Sequence, residues 1–294
     1  VLTTDFIAEV RRHGSISAGY ADADILKDGD AEIRARFIPL LESLRQNFFV
    51  RTLTASPDAL GRVPLPERAV GAALRSVQLS LGGASWVSIP NRALEDADFQ
   101  SGGQPCAYFL DAGSICLLPS GSSGSLRIRY AARPGRMCLD TDASLAAPLT
   151  AVTTGASSTT FTSVFSGSTT SVDFVAFGPA HQQKAMGVLA GGGTTLNTGL
   201  QEALAIGDYI CGYDRTPFVP LPEELSAALV HRAAGVILRS QGYDEEASAQ
   251  LTLAEDAIRS AKPMLIPRNE GNPQRVTGGI RKALNMYSRG RRLY

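Results

Sequence analysis

The chain is poor in the groups that most catalytic and metal chemistry requires. It holds three histidines (His13, His181, His231) and four cysteines (Cys106, Cys116, Cys138, Cys211). The cysteines are far apart and none forms a Cys-x-x-Cys pair, which argues against a zinc site. Reduced, partly buried thiols are expected instead, because a chain of 294 residues needs no disulfide framework. No run approaches ~20 consecutive apolar residues, so no membrane helix is expected. The opening Val1-Leu2-Thr3-Thr4-Asp5 lacks the basic region and apolar block of a signal peptide, and none is expected there. Gly-x-Ser-x-Gly, a Walker phosphate loop and His-Glu-x-x-His are all missing. Gly191-Gly192-Gly193-Thr194-Thr195 lacks the lysine that would reach a phosphate and reads as a surface loop. Nothing here calls for a metal, a cofactor or a catalytic residue.

What is present is enough apolar sequence for a core: 44% of residues are hydrophobic and 19% charged. The length suits one large domain or two small ones. Basic and acidic residues balance at 28 each, but unevenly along the chain. From Lys262 to Tyr294 there are eight basic residues and one acid, Glu270, so the first 261 residues carry the compensating negative charge. A basic tail on an acidic body is expected to meet an acidic surface. His231, between Val230 and Arg232, reads as structural, His13 as a helix-end residue and His181 as a loop residue. Asp140-Thr141-Asp142 lacks the glycine and distal glutamate of an EF-hand loop and reads as a turn. Trp86 reads as a core or interface anchor.

Helical signals sit at both ends. Thr3 or Thr4 can cap a helix through Arg12 that Gly14 ends. A second helix is expected over about 22–49, with Ile25, Ile33, Phe37, Leu40, Leu41, Leu44 and Phe48 on one side and a kink at Pro39. Near the end, Pro220-Leu221-Pro222-Glu223-Glu224-Leu225 starts a helix with the stripe Leu225, Leu229, Ala233 and Val236 or Ile237, and Gly242 stops it. Asp244-Glu245-Glu246 opens another, with Ala247, Leu251, Ala254, Ile258 and Ala261 as an apolar seam for an antiparallel pair. After Lys262, Pro263, Pro267, Pro273 and several glycines break the periodicity, so this stretch is expected to be extended until it finds a partner.

Between the helical ends lie short apolar runs punctuated by Gly, Pro, Ser and Asn. Strands are expected at Leu74–Leu81, Ser85–Ile89, Cys106–Asp111, Ser114–Leu118, Ser125–Ala131, Val172–Phe177 and Tyr209–Tyr213. Pro119 to Gly124 is expected to turn between two of them. Residues 143–172 contain no charged side chain, and fourteen of the 22 residues in 150–171 are Ser or Thr. Such a run reads as an exposed hairpin or a surface packed on another subunit. The expected class is α+β: a helical bundle of N- and C-terminal helices, an inserted β-rich domain like a sandwich or barrel, and an extended tail. The expected boundaries are 1–50, 51–218, 219–262 and 263–294.

Several segments resemble the head-to-tail adaptor (neck or connector) proteins of tailed bacteriophages, chiefly short-tailed ones. They are Glu32-Ile33 leading to Leu40-Leu41-Glu42-Ser43-Leu44-Arg45-Gln46-Asn47-Phe48-Phe49-Val50, then Val63-Pro64-Leu65-Pro66-Glu67-Arg68-Ala69-Val70-Gly71 with Leu74, Arg75 and Val77. The nearest match is Leu221-Pro222-Glu223-Glu224-Leu225 with Leu229-Val230-His231-Arg232-Ala233-Ala234, and the stretch after Ile266-Pro267-Arg268 also fits. The resemblance covers roughly the first and last 80 residues and leaves the Ser/Thr-rich part unassigned.

The resemblance implies a non-enzymatic virion protein of the neck region, assembled in the host cytoplasm. It implies a homo-oligomeric ring, usually dodecameric, between the portal protein and other tail or neck proteins, with genomic DNA passing through the lumen without sequence-specific binding and no membrane contact. The docking tail on the portal would use Arg268, Arg275, Ile280, Arg281, Leu284, Arg289, Arg291, Arg292 and Tyr294. The ring-forming helical core would use Phe37, Leu41, Leu44, Leu225, Leu229, Leu251 and Ile258. The alternative is a phage tail or fibre component whose β-rich domain binds a receptor or glycan. An enzyme such as a cell-wall hydrolase would need a close carboxylate pair, which spacing alone cannot show.

Overall fold

The computed structural model describes residues 1–44, 48–66, 68–82, 85–93, 103–119, 124–154, 159–169, 171–177, 183–188, 190–191, 195–196 and 203–266. Helix α1 (Thr3–Gly14) is followed by α2 (Asp22–Glu32), a π-helical turn (Ile33–Phe37) and α3 (Ile38–Ser43). Near the end, a 3₁₀ turn (Glu223–Leu225) leads into α4 (Ser226–Ser240), and α5 spans Asp244–Leu265. The expected kink at Pro39 takes the form of that π turn. Proline has no N–H to donate, and the helix widens just before it so that the Ile38 N–H reaches the Ile33 carbonyl. Helix α5 carries Pro263 and continues past it to Leu265, further than the expected stop at Lys262.

One apolar core joins these helices. Phe6, Ile7 and Val10 of α1 meet Ile25 and Leu26 of α2, Phe37 of the π turn and Leu41 of α3. Leu229, Ala233 and Ile237 of α4 and Ile258, Ala261 and Leu265 of α5 complete it. A Cβ on Gly235 would lie 2.8 Å from Leu251 Cγ and 3.2 Å from the Ala247 carbonyl oxygen, so glycine permits the close approach of α4 and α5. The two ends of the chain also meet as backbone: Thr3 N–H donates to Pro217 O (3.0 Å) and Val219 N–H to Val1 O (3.0 Å).

The intervening strands are β1 (Val50–Ala55), β2 (Arg62–Pro64), β3 (Ala69–Ser80), β4 (Val87–Ser88), β5 (Ala107–Asp111), β6 (Ser114–Leu118), β7 (Ser125–Ala132) and β8 (Arg136–Met137). Next come β9 (Ala146–Thr154), β10 (Thr159–Ser163), β11 (Val172–Val175), β12 (Gln183–Val188), β13 (Ala190–Gly191), β14 (Thr195–Leu196), β15 (Tyr209–Gly212) and β16 (Arg215–Thr216). A four-stranded sheet runs β1-β7-β3-β4 and a three-stranded one β2-β6-β5. They share one core, with Val77, Leu126 and Ile128 from the first against Val63, Ile115 and Leu117 from the second. The strict alternation expected in β7 is seen: Leu126 and Ile128 are buried while Arg129 is exposed. Pro119 ends β6, and β7 lies in the other sheet, so the expected turn there connects two sheets; its residues 120–123 lie outside the described residues.

A seven-stranded antiparallel sheet follows in the order β12-β11-β15-β9-β10-β14-β13, over a core of Leu149, Phe161, Val172, Phe174 and Ile210. The Ser/Thr-rich run supplies the interior strands β9 and β10, with Phe161 inward and Thr160 and Thr162 exposed. Finally β8 and β16 pair in parallel. A Cβ on Gly135 would lie 2.9 Å from the backbone carbonyl of Arg215, so that pairing needs a glycine beside it. The chain is thus mixed α and β with antiparallel sheets, an α+β class. Among the described residues, no helix is long and apolar enough to cross a membrane.

Candidate functional site

The polar chemistry of the molecule is concentrated where the helices meet the sheets. Arg68, just before β3, is buried and pairs with the fully buried Asp173 of β11. Its Nη2 also lies 3.3 Å from Asp214, in the turn between β15 and β16. The Asp214 N–H donates to Asp173 (3.2 Å). Arg136 of β8 approaches Asp214 at 3.4 Å and Arg34 of the π turn at 4.0 Å. One carboxylate therefore gathers guanidinium groups from three parts of the fold. A buried pair of this kind repays its desolvation only when both partners are present.

A second joint caps α1. Asp140 accepts the Thr4 N–H (3.1 Å) and the hydroxyls of Thr3 (3.0 Å) and Thr4 (3.1 Å). Neither threonine is the cap itself; both sit in the first turn, and a carboxylate 136 residues away satisfies the free donors. At the other end Ser15, not Gly14, takes the left-handed conformation (φ 49°). Asp142 accepts the Ser144 N–H and hydroxyl, which makes the Asp140–Asp142 stretch the expected turn.

The segments around Glu42, Arg75 and Arg232 hold further links. Glu42 of α3 pairs with Arg75 of β3 (2.9 Å), bringing two of the segments together. Arg232 of α4 is buried, donates to Glu32 of α2 (2.7 Å) and lies 3.5 Å from Glu255 of α5. His231 donates through Nδ1 to Gln250 Oε1 (2.7 Å), and Gln250 donates to the His13 carbonyl (2.9 Å). The rings of His13 and His231 meet edge to face at 4.6 Å. His231 is thus structural and His13 lies in the last turn of α1, each as expected, whereas His181 lies outside the described residues.

The expected interface residues divide sharply. Phe37, Leu41, Leu225, Leu229 and Ile258 are buried in the chain's own core, and Leu44 and Leu251 are half-buried. The five buried ones are consumed by folding the single chain, so they are not free for a contact with a neighbouring copy. Arg268, Arg275, Ile280, Arg281, Leu284, Arg289, Arg291, Arg292 and Tyr294 lie outside the described residues, as do Gly192 and Gly193. Helix α5, which leads toward that segment, exposes Met264 (71%) and Ile266 (51%) follows it. Trp86 is half-buried rather than in a core, with the Arg127 guanidinium 4.1 Å above its ring.

The four cysteines are free thiols. Burial pushes the Cys138 thiol up to about 12 and raises Cys211 as well, so neither is a nucleophile near neutral pH. Among the described residues, no group of three or more His, Cys, Asp or Glu is placed to hold a metal ion. The Arg68–Asp173–Asp214 joint and the Asp140 cap escaped sequence reading because the partners lie 105 and 136 residues apart in pairs that no local pattern links. No protein-family model matches the chain, and no characterised protein matches it.

Proposed function

We propose that the chain is a structural assembly protein of the head-to-tail adaptor type, which joins a portal ring to a tail and forms part of the DNA channel. In this reading the helical bundle is the body of each ring subunit, the β-rich insertion faces the next tail component, and the segment after Ile266 docks on the portal. The observation that carries the reading is the separation of charge: eight basic residues and one acid from Lys262 onward, against a net acidic remainder. That segment follows a helix whose end exposes apolar Met264 next to Ile266. A basic arm with scattered apolar residues suits a groove on an acidic partner, and it loses its ordering entropy only on docking. Many weak arms held in a closed ring then bind together. The acidic body suits a channel that passes DNA without gripping phosphate.

The test is co-assembly. Purified chain is mixed with portal rings from the same genome, and the products are imaged by electron microscopy. An added ring with the portal's axis is expected. Bare portal rings at saturating protein contradict the proposal, and binding of residues 51–218 to a glycan array moves the receptor-binding alternative ahead.

A further inference from the structure

A cleft of about 460 Å³ opens between α2 and the β8–β16 pair, a size suited to a small molecule. Its lining carries four cations, Lys27, Arg34, Arg136 and Arg215, and a single acid, Asp30, above a floor that includes Leu26 and Met137. Ionic neutralisation inside the fold is incomplete. Arg68 has the buried Asp173 as its nearer partner, and Arg34 and Arg136 share Asp214 with it, so two carboxylates serve three guanidinium groups. Lys27 and Arg215 make no ion pair with the described residues. Asp30 sits at the back, where both its oxygens accept the Met137 N–H at 3.1 Å. Burial pushes its carboxyl up to about 6, against the pull of Arg34 and Arg136 and with the push of Asp214. The helix, the strand pair and the turn therefore all contribute charge to one concave surface, and its excess is positive.

We propose that this cleft is a binding site for a small multivalent oxyanion, a phosphate- or carboxylate-bearing molecule held by Lys27, Arg34, Arg136 and Arg215. Guanidinium groups match the planar or tetrahedral oxygens of such groups with paired donors, and the apolar floor accommodates a short carbon frame. The inference does not depend on the adaptor reading; it needs only the helix–sheet joint.

The experiment is isothermal titration of the full chain at pH 7.5 with two probes, sodium pyrophosphate and sodium citrate, against sodium chloride at matched ionic strength. One-to-one saturable binding of at least one probe is expected, and the preferred probe tells phosphate from carboxylate recognition. R215Q and K27Q are expected to bind about tenfold more weakly, the loss of one charge-assisted contact. D30N, which removes the one acid among the described residues of the lining, is expected to bind about threefold more tightly. R259Q, on the exposed side of α5 and not part of the cleft lining, is expected to bind as the unaltered chain does. Circular dichroism checks that each variant is folded. Absence of saturable binding overturns the proposal. So does binding of unreduced affinity in both R215Q and K27Q, or binding that R259Q abolishes.

Discussion

Asp30 shows how a single carboxylate reports on the joint between helix and sheet. Its folded-state value of about 6 lies above the ordinary value of 3.8, with burial as the largest cause. The native state therefore holds the proton more tightly than the unfolded chain. The resulting stability is fully present below about pH 3.8 and is lost as pH rises through about 6. Asp30→Asn keeps an oxygen for the Met137 N–H and removes the charge. It is expected to stabilise the chain by about 1–2 kcal/mol at pH 7.5 and by nothing below pH 4, read from denaturant unfolding at both pH values. Asp140 contributes as a hydrogen-bond acceptor. Asp140→Ala leaves the first turn of α1 without its acceptor and is expected to cost about 1–2 kcal/mol, with early loss of protection in α1 amides by hydrogen exchange. Neither role was legible beforehand: Asp140-Thr141-Asp142 reads as a turn, and the turn is there, but its partners Thr3 and Thr4 come from the start of the chain.

At the scale of elements, the helices were legible and many strands were not. Of the expected seam Ala247, Leu251, Ala254, Ile258 and Ala261, all are buried but Leu251, which is half-buried, because helical periodicity is a strong local signal. Strands β5, β6 and β7 fall where alternation and punctuation placed them. Strands β8, β13, β14 and β16 have two residues each, too few for any period. The long β9 carries Ser/Thr-rich sequence that says little about which face is buried. The contact between α4 and α5 rests on Gly235. Helix propensity alone favours alanine there by about 1 kcal/mol. The contact with Leu251 and the Ala247 carbonyl is expected to reverse that sign, so that Gly235→Ala costs about 1–2 kcal/mol. Adding Leu251→Ala is expected to suppress part of this cost, and a double-mutant cycle on thermal unfolding measures the coupling.

At the scale of the whole molecule, the described core closes without the basic segment. Ala261 and Leu265 are buried in the helical core, so the seam extends one turn beyond the boundary that Pro263 suggested. A chain ending at Ala261 is therefore expected to lose about 1.5–3 kcal/mol from the missing Leu265, whereas one ending at Ile266 keeps its full thermal stability. In dilute solution the free chain is expected to be monomeric by light scattering, because Phe37, Leu41, Leu225, Leu229 and Ile258 are turned into its own core. A stable ring from the isolated chain runs against that account.

The central claim is that the basic segment, and not the folded body, makes the attachment. The most direct measurement compares the full chain with residues 1–266 for binding to portal rings, by sedimentation and electron microscopy. The account predicts that both proteins fold alike and that only the full chain adds a ring. If the 1–266 chain binds portal rings as tightly as the full chain, the docking role of the segment is wrong.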